Sequence, residues 1–496
     1  MILDREKDAS ANYGKLRQFV AAVIVNLLAV SYGLTCGWPS PLIPQLRRSD
    51  TPVGDSPITE DGASWIGALL CLGGLSMAPF SGSLVERFGH KRFGYAACLP
   101  MLVSWLVAIF ATSHACLFVS RFLGGMGGAM CIFLVPSYVS EISSEEIRGA
   151  LGSLLVFAIN IGILLAFATG PFMPYKAFGV FSMAFPLVFM LTFYFMPETP
   201  VYLVRKRRID EAGRSLMFLK GNNKVLVDQE LSRLQTQITD SEHPDAKVRF
   251  LDLFRDRATF KGMIIAFGLL GGQQLCGIFA MISYAETIFK MSGSSLSPDH
   301  AAIIIGAIQV FGSYLSTVLM ERAGRRLLVL VSCGGMSVCH FTVSAFCYLQ
   351  KSEQDVSAIS WLPVTALSFY MIAYCLGMGP APFVVASEIF RVNFASYANT
   401  LCMIFLWIMA FLVIKTFGPL MGVIGIENCF VLLGIFCAGS FAFSYVMMPE
   451  TKGRKREDIV EELAGNAGGL RACYDEMTYV KDKNVSGKDF IAAEQV

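Results

Sequence analysis

An all-α membrane fold, with twelve transmembrane helices in two six-helix bundles, is predicted by three observations: an apolar composition, about twelve stretches long enough to cross a bilayer, and charged signatures that occur twice. Of the 496 residues, 54% are hydrophobic and 16% charged, and the mean hydropathy is +0.56. So few charges cannot cover a soluble globule of this length. A helix needs about 20 apolar residues to cross a hydrocarbon core, so twelve use roughly half the chain.

In order, the spans read as 18–38, 64–84, 93–112, 116–138, 150–170, 177–196, 261–288, 300–320, 327–349, 360–386, 398–419 and 424–447. The first follows a charged segment, Asp4 to Arg17, and is too long for the apolar core of a cleaved leader, so it reads as a signal anchor. With the N-terminus inside, roughly 33 of the 40 Lys and Arg fall in cytoplasmic segments, about five in external loops and two within spans. That asymmetry sets the orientation, and a multi-pass cell-membrane protein with both termini cytoplasmic is expected. The organisation is then a cytoplasmic segment 1–17, an N-terminal bundle 18–200, a cytoplasmic linker 201–260 carrying short helices, a C-terminal bundle 261–448 and a cytoplasmic tail 449–496.

The composition also excludes function classes. A formal net charge of +2 implies no nucleic-acid or acidic partner, and no obligate protein partner is evident beyond the lipid bilayer. The 14 Cys lie mostly in or beside spans, where Cys packs as a small hydrophobe, and the largest external loop, about 39–63, has none. No disulfide framework, metal site or cofactor is expected. Enzymatic chemistry is not expected either, because no intramembrane His/Asp/Glu cluster occurs and His340 stands alone.

Three signatures recur in order at offsets of about 235 to 252 residues. Glu86-Arg87-x-Gly89-His90-Lys91-Arg92 follows the second span and Glu321-Arg322-x-Gly324-Arg325-Arg326 the eighth. Glu141 ends the fourth and Glu388 the tenth. Pro197-Glu198-Thr199-Pro200 leaves the sixth and Pro449-Glu450-Thr451-Lys452 the twelfth. Three pairings in register indicate duplication, and parallel repeats in transporters hold substrate between the halves. Glu86, Arg87, Glu141, Arg148, Glu321, Arg322, Arg325 and Glu388 are expected to form a cytoplasmic latch of ion pairs tying the halves together and breaking as the inner mouth opens.

Seven pieces in order carry a family resemblance: Arg121-x-Leu123-Gly124; Pro136-Ser137-Tyr138 with Glu141 and Arg148-Gly149; Pro197-Glu198-Thr199-Pro200; Gln273-Gln274-Leu275-x-Gly277-Ile278; Glu321-Arg322-x-Gly324-Arg325-Arg326; Gly379-Pro380-x-Pro382; and Pro449-Glu450-Thr451-Lys452-Gly453. From the first span to Glu462 the chain resembles the sugar porter family of the major facilitator superfamily. Trp65-Ile66-Gly67, Arg148 to Gly152 and Asn160 to Leu165 look closest to insect facilitated trehalose transporters. The resemblance implies the major facilitator fold and two bundles rocking about a central sugar site. It also makes Gln273 and Gln274 the principal sugar ligands.

The residues support that implication. Two adjacent Gln in an apolar span are costly to bury without partners, which a sugar supplies. Asn160 and Gln309 are further polar residues within spans, and Tyr284, Phe383 and Trp407 are aromatic candidates for lining the cavity, with Trp407 and Phe383 ranked first for stacking, although plain core packing is the better account of any one of them taken singly. Gly377, Gly379, Pro380 and Pro382 interrupt the tenth span and read as a gating hinge.

Departures from the family pattern narrow the cargo. Phe279 replaces a usual Asn, Val156 a common Gln, Phe383 the Trp frequent in glucose carriers, and Leu406 a common Asn, leaving a less polar pocket. Ala395 stands where an Arg is usual, with Arg391 as its possible substitute, and His90 replaces an Arg. Proton-driven relatives carry an acid in the first span where this chain has Thr35. Facilitated diffusion of a hexose or a disaccharide such as trehalose is therefore expected, with a proton-coupled symporter or a non-transporting sugar sensor as the alternatives.

Overall fold

The computed structural model describes residues 2–241, 256–291, 296–390, 392–454 and 456–464. Linker residues 242–255, Arg391 and the tail after Ala464 lie outside the described residues, as does the side chain of Glu321. The described chain is helical throughout, with no strand. Its spans are Tyr13–Leu46, the bent pair Glu60–Met77 with Ser81–Phe88, His90–Ile109, His114–Ile142, Glu145–Thr169 and Tyr175–Phe193 in the first half. The second half holds Arg257–Lys290, Pro298–Met320, Arg325–Lys351, Ser357–Glu388, Tyr397–Ile424 and Ile426–Met447. Between the halves run the short helices Pro200–Arg205, Ile209–Leu219 and Lys224–Ser241. Arg456–Ala464 packs on the seventh span.

Proline and glycine account for the places where the spans differ from a simple reading. Residues 39–46, expected in the large outer loop, continue the first span as a buried helix, Pro39–Leu46. A proline in a helix's first turn lacks only an N–H that has no helical partner there, so Pro39 is compatible with a helix start. The Trp38 ring lies 5.1 Å from that of Trp105. The second span, read as straight, bends by 50° between Met77 and Ser81, where Pro79 removes a donor. The seventh, read as continuous, is broken at Cys276–Gly277, with Gly277 at φ 87. The first helix begins at Ile2, far ahead of the predicted span start at 18.

Within the first half the first span packs on the fifth and the second on the fourth; within the second half the ninth packs on the twelfth. Small residues let these backbones meet: a Cβ on Gly73 would lie 1.9 Å from the Phe122 carbonyl oxygen, and one on Gly125 1.9 Å from that of Leu70. Between the halves the second span packs on the eleventh and the fifth on the eighth. One face of the molecule carries the short helices and the duplicated turns, the linker face; residues 47–59 lie on the opposite face.

Candidate functional site

The seventh and tenth spans are each interrupted, and their interruptions face one another. In the tenth, Tyr374–Met378 forms a π turn, with the Gly379 N–H bonded to the Tyr374 carbonyl at 2.8 Å. Pro382 then deprives the Met378 carbonyl of its helical donor four residues on. Gln273 supplies the replacement: its Nε2 donates to the carbonyls of Met378 (2.9 Å) and Gly379 (2.6 Å). Gln274 Nε2 donates to Gln273 Oε1 at 3.3 Å, and Gln274 Oε1 is buried with no partner among the described residues. At the break in the seventh span, the Cys276 carbonyl accepts from Tyr370 Oη (3.0 Å) and His340 Nε2 (3.1 Å).

Asn160 and Gln309 join the halves. Gln309 Nε2 donates to Asn160 Oδ1 at 2.9 Å, Asn160 Nδ2 donates to Ser313 Oγ, and Gln309 Oε1 remains buried without a partner among the described residues. The Gln309 carbonyl accepts from the thiol of Cys375 at 3.6 Å, so this cluster and the Gln273 amide meet the same π turn. The three aromatic candidates separate. Trp407 is buried against the second span, where a Cβ on Gly74 would lie 2.8 Å from its ring. Tyr284 is buried beside Phe417 with no hydrogen-bond partner for its hydroxyl among the described residues, and of the three only Phe383 is exposed, at 38%.

Among the described residues the charged groups of the linker face pair inside one half, not across the two. Glu198 accepts from the N–H groups of His90, Lys91 and Thr199, each at 3.0 Å, and thus caps the third span. Glu450 caps the ninth through Arg325 N–H (3.0 Å) and Arg326 N–H (3.1 Å). Arg325 also pairs with Glu388 at 3.2 Å, and His90 lies 3.7 Å from both Glu141 and Glu198. Arg148 donates to the Ser143 carbonyl at 3.2 Å, the Arg322 carbonyl accepts from Lys452, and Glu86 and Arg87 are exposed. A helix N-terminus is a strong local draw for a carboxylate, and each half holds both members of its own pair. Burial raises the Glu198 carboxyl above the ordinary carboxylate range, opposed by those three N–H bonds.

Cross-half ties concentrate instead toward the opposite face. Lys415 of the eleventh span pairs with Asp61 at the start of the second, donates to Ser64 Oγ at 2.8 Å, and sits 4.6 Å from the centre of the Trp65 ring. The Glu286 N–H donates to Ser40 Oγ at 3.1 Å, joining the seventh span to the first. Arg121 and Lys415 are cations within spans, a visible signal that pointed to no role. Arg121 is 1% exposed and donates to the carbonyls of Thr35 and Ile66, the latter at 2.8 Å, with no carboxylate paired to it among the described residues.

The family model for sugar (and other) transporters matches residues 22–463. The chain belongs to that family. It is 32% identical over 454 residues to the facilitated trehalose transporter Tret1 of Bombyx mori, covering 92% of this chain and 88% of that one. It is 33% identical over 448 residues to Tret1 of Aedes aegypti, covering 90% of this chain but only 55% of the mosquito protein. The chain thus spans about half the length of some family relatives. In fold it is similar to the inward-open structure of the xylose transporter XylE from E. coli, with a TM-score of 0.73 at 19% identity, covering 89% of this chain and 99% of that one.

Proposed function

We propose that this chain carries a sugar across the cell membrane by alternating access and facilitated diffusion, taking a hexose or a disaccharide such as trehalose. The observation that carries the reading is the asymmetry of the cross-half ties: they close the face opposite the linker, while the linker face keeps its charges within each half. With the linker face toward the cytoplasm and both termini inside, as the Lys and Arg distribution favours, this is the inward-facing state of a two-bundle carrier. The orphaned carbonyl oxygens of Gln274 and Gln309 accept hydroxyl donors, which suits a polyol. Membership of the sugar transporter family and the likeness to trehalose carriers support the cargo class.

Facilitated rather than proton-coupled transport rests on Arg121. Its guanidinium donates to the carbonyls of Thr35 and Ile66, and residues 18–38 of the first span hold no Asp or Glu whose protonation could be linked to transport. A carrier must also release its cargo, and a millimolar constant corresponds to about −4 kcal/mol. Purified protein in proteoliposomes should show saturable uptake of at least one of radiolabelled glucose, fructose and trehalose. Specific binding with no uptake of any of the three would contradict transport and identify a sensor.

A further inference from the structure

We infer that His340 and Tyr370 are positioning residues: together they clamp the Cys276 carbonyl and hold the joint of the broken seventh span in place. The inference rests on the transport reading for its effect on uptake, and on geometry alone for the clamp. The joint exists because Gly277, at φ 87, takes the backbone out of the helix. The ladder of the second segment, Ile278–Met291, starts with the Met281 N–H on the Gly277 carbonyl at 2.8 Å, one residue beyond Cys276. The Cys276 carbonyl is thus left to donors outside the seventh span, and a buried carbonyl without one is costly.

Two other spans supply those donors. Tyr370 Oη of the tenth span donates at 3.0 Å and His340 Nε2 of the ninth at 3.1 Å, so both lone pairs of a single carbonyl oxygen are taken. A carbonyl can only accept, which puts the His340 proton on Nε2. The His340 ring lies 4.6 Å from that of Tyr370 and 5.7 Å from that of Phe430 in the twelfth span, and both donor side chains are fully buried. Leu433 of the twelfth span closes on the joint as well: a Cβ on Gly277 would lie 2.9 Å from its Cδ1. His340, isolated in the sequence, is therefore one arm of a clamp whose other arm comes from a different span. The clamped joint orients the second segment, whose Glu286 N–H donates to Ser40 Oγ of the first span. The clamp thus stands behind a cross-half tie on the face opposite the linker.

The test uses the full chain in proteoliposomes, with uptake of radiolabelled trehalose and glucose and hydrogen exchange measured on the same samples. His340→Phe and Tyr370→Phe each remove one donor and keep a ring, so each leaves the carbonyl one partner. Each alone should speed exchange at residues 278–291 about threefold and lower the maximal rate about threefold. The double variant strands the carbonyl and should change both about thirtyfold, with KM within about twofold because neither side chain meets the sugar. His340→Gln in the Tyr370→Phe background restores an N–H donor and should return both readouts to those of Tyr370→Phe alone. A double variant whose effect is no more than the product of the two singles, or a Gln variant no better than Phe, would reduce the pair to packing and overturn the clamp. A tenfold rise in KM would overturn it too, by making them sugar contacts. If the double variant does not insert, His340→Phe decides alone, and unchanged exchange at residues 278–291 contradicts the clamp. Absence of uptake by the unaltered protein would sink the transport reading alone, since the exchange measurement decides the clamp without any sugar.

Discussion

The two faces of the molecule use charge in opposite ways. On the linker face, carboxylates sit on helix N-termini of their own half: Glu198 on the third span and Glu450 on the ninth. On the opposite face, the one cross-half ion pair seen among the described residues joins Lys415 to Asp61. The first set is duplicated in sequence and the second is not. Duplication therefore preserved what folds each bundle, while residues particular to one half supply what joins the bundles.

The largest effect should come from the glycines under the two caps. Gly89 has φ 86 and Gly324 φ 90, and a Cβ there would lie 2.5 Å and 2.8 Å from a capping carboxylate oxygen. Gly89→Ala and Gly324→Ala should each cost about 3 kcal/mol from backbone strain and a displaced cap, read as a lowered thermal midpoint in detergent. Equal losses support the symmetry of the halves, and a loss confined to one would break it. Glu450→Gln should cost about 2 kcal/mol and Glu198→Gln somewhat less, because Glu450 accepts four N–H bonds, including those of Thr451 and Lys452, against three for Glu198.

Lys415→Met should leave the thermal midpoint nearly unchanged, since Asp61 is well exposed. It should instead loosen the opposite face, read as about threefold faster hydrogen exchange at residues 60–68. The charge swap Lys415→Asp with Asp61→Lys should restore protection, and failure of that rescue would make the contribution of Lys415 one of packing on Trp65. The smallest effect is a pH dependence. A carboxyl raised by burial holds its proton more tightly folded than unfolded, so the contribution of Glu198 is full below the ordinary carboxylate pKa and falls as pH rises above it. The unaltered protein should lose stability relative to Glu198→Gln over that window.

These contrasts also mark how far the sequence could be read. The twelve spans were legible because apolar length is a one-dimensional signal, and the duplicated charges located the turns correctly. Their role was not legible: ion pairing and helix capping both place Glu beside Arg at a span end, and only the fold shows that Glu198 and Glu450 face backbone N–H groups. The break at Gly277 was hidden because one glycine in an apolar run does not announce a positive φ, whereas Pro380 and Pro382 made the tenth-span interruption visible. Gln273 and Gln274 stood out as buried amides, but that the Gln273 amide meets the carbonyls of Met378 and Gly379, about 105 residues away, comes only from the fold. Arg121 and Lys415 were conspicuous as cations within spans, and their partners, backbone carbonyls for one and a cross-half Asp for the other, come only from the packing.

The account's central claim is downhill sugar transport, and it is tested most directly by the steady-state ratio of internal to external sugar in proteoliposomes, with and without an imposed inward proton gradient. For the sugar that is taken up, the account predicts a ratio of about one in both conditions, reached at the same rate. Accumulation above that ratio under the gradient, abolished by a protonophore, would contradict it.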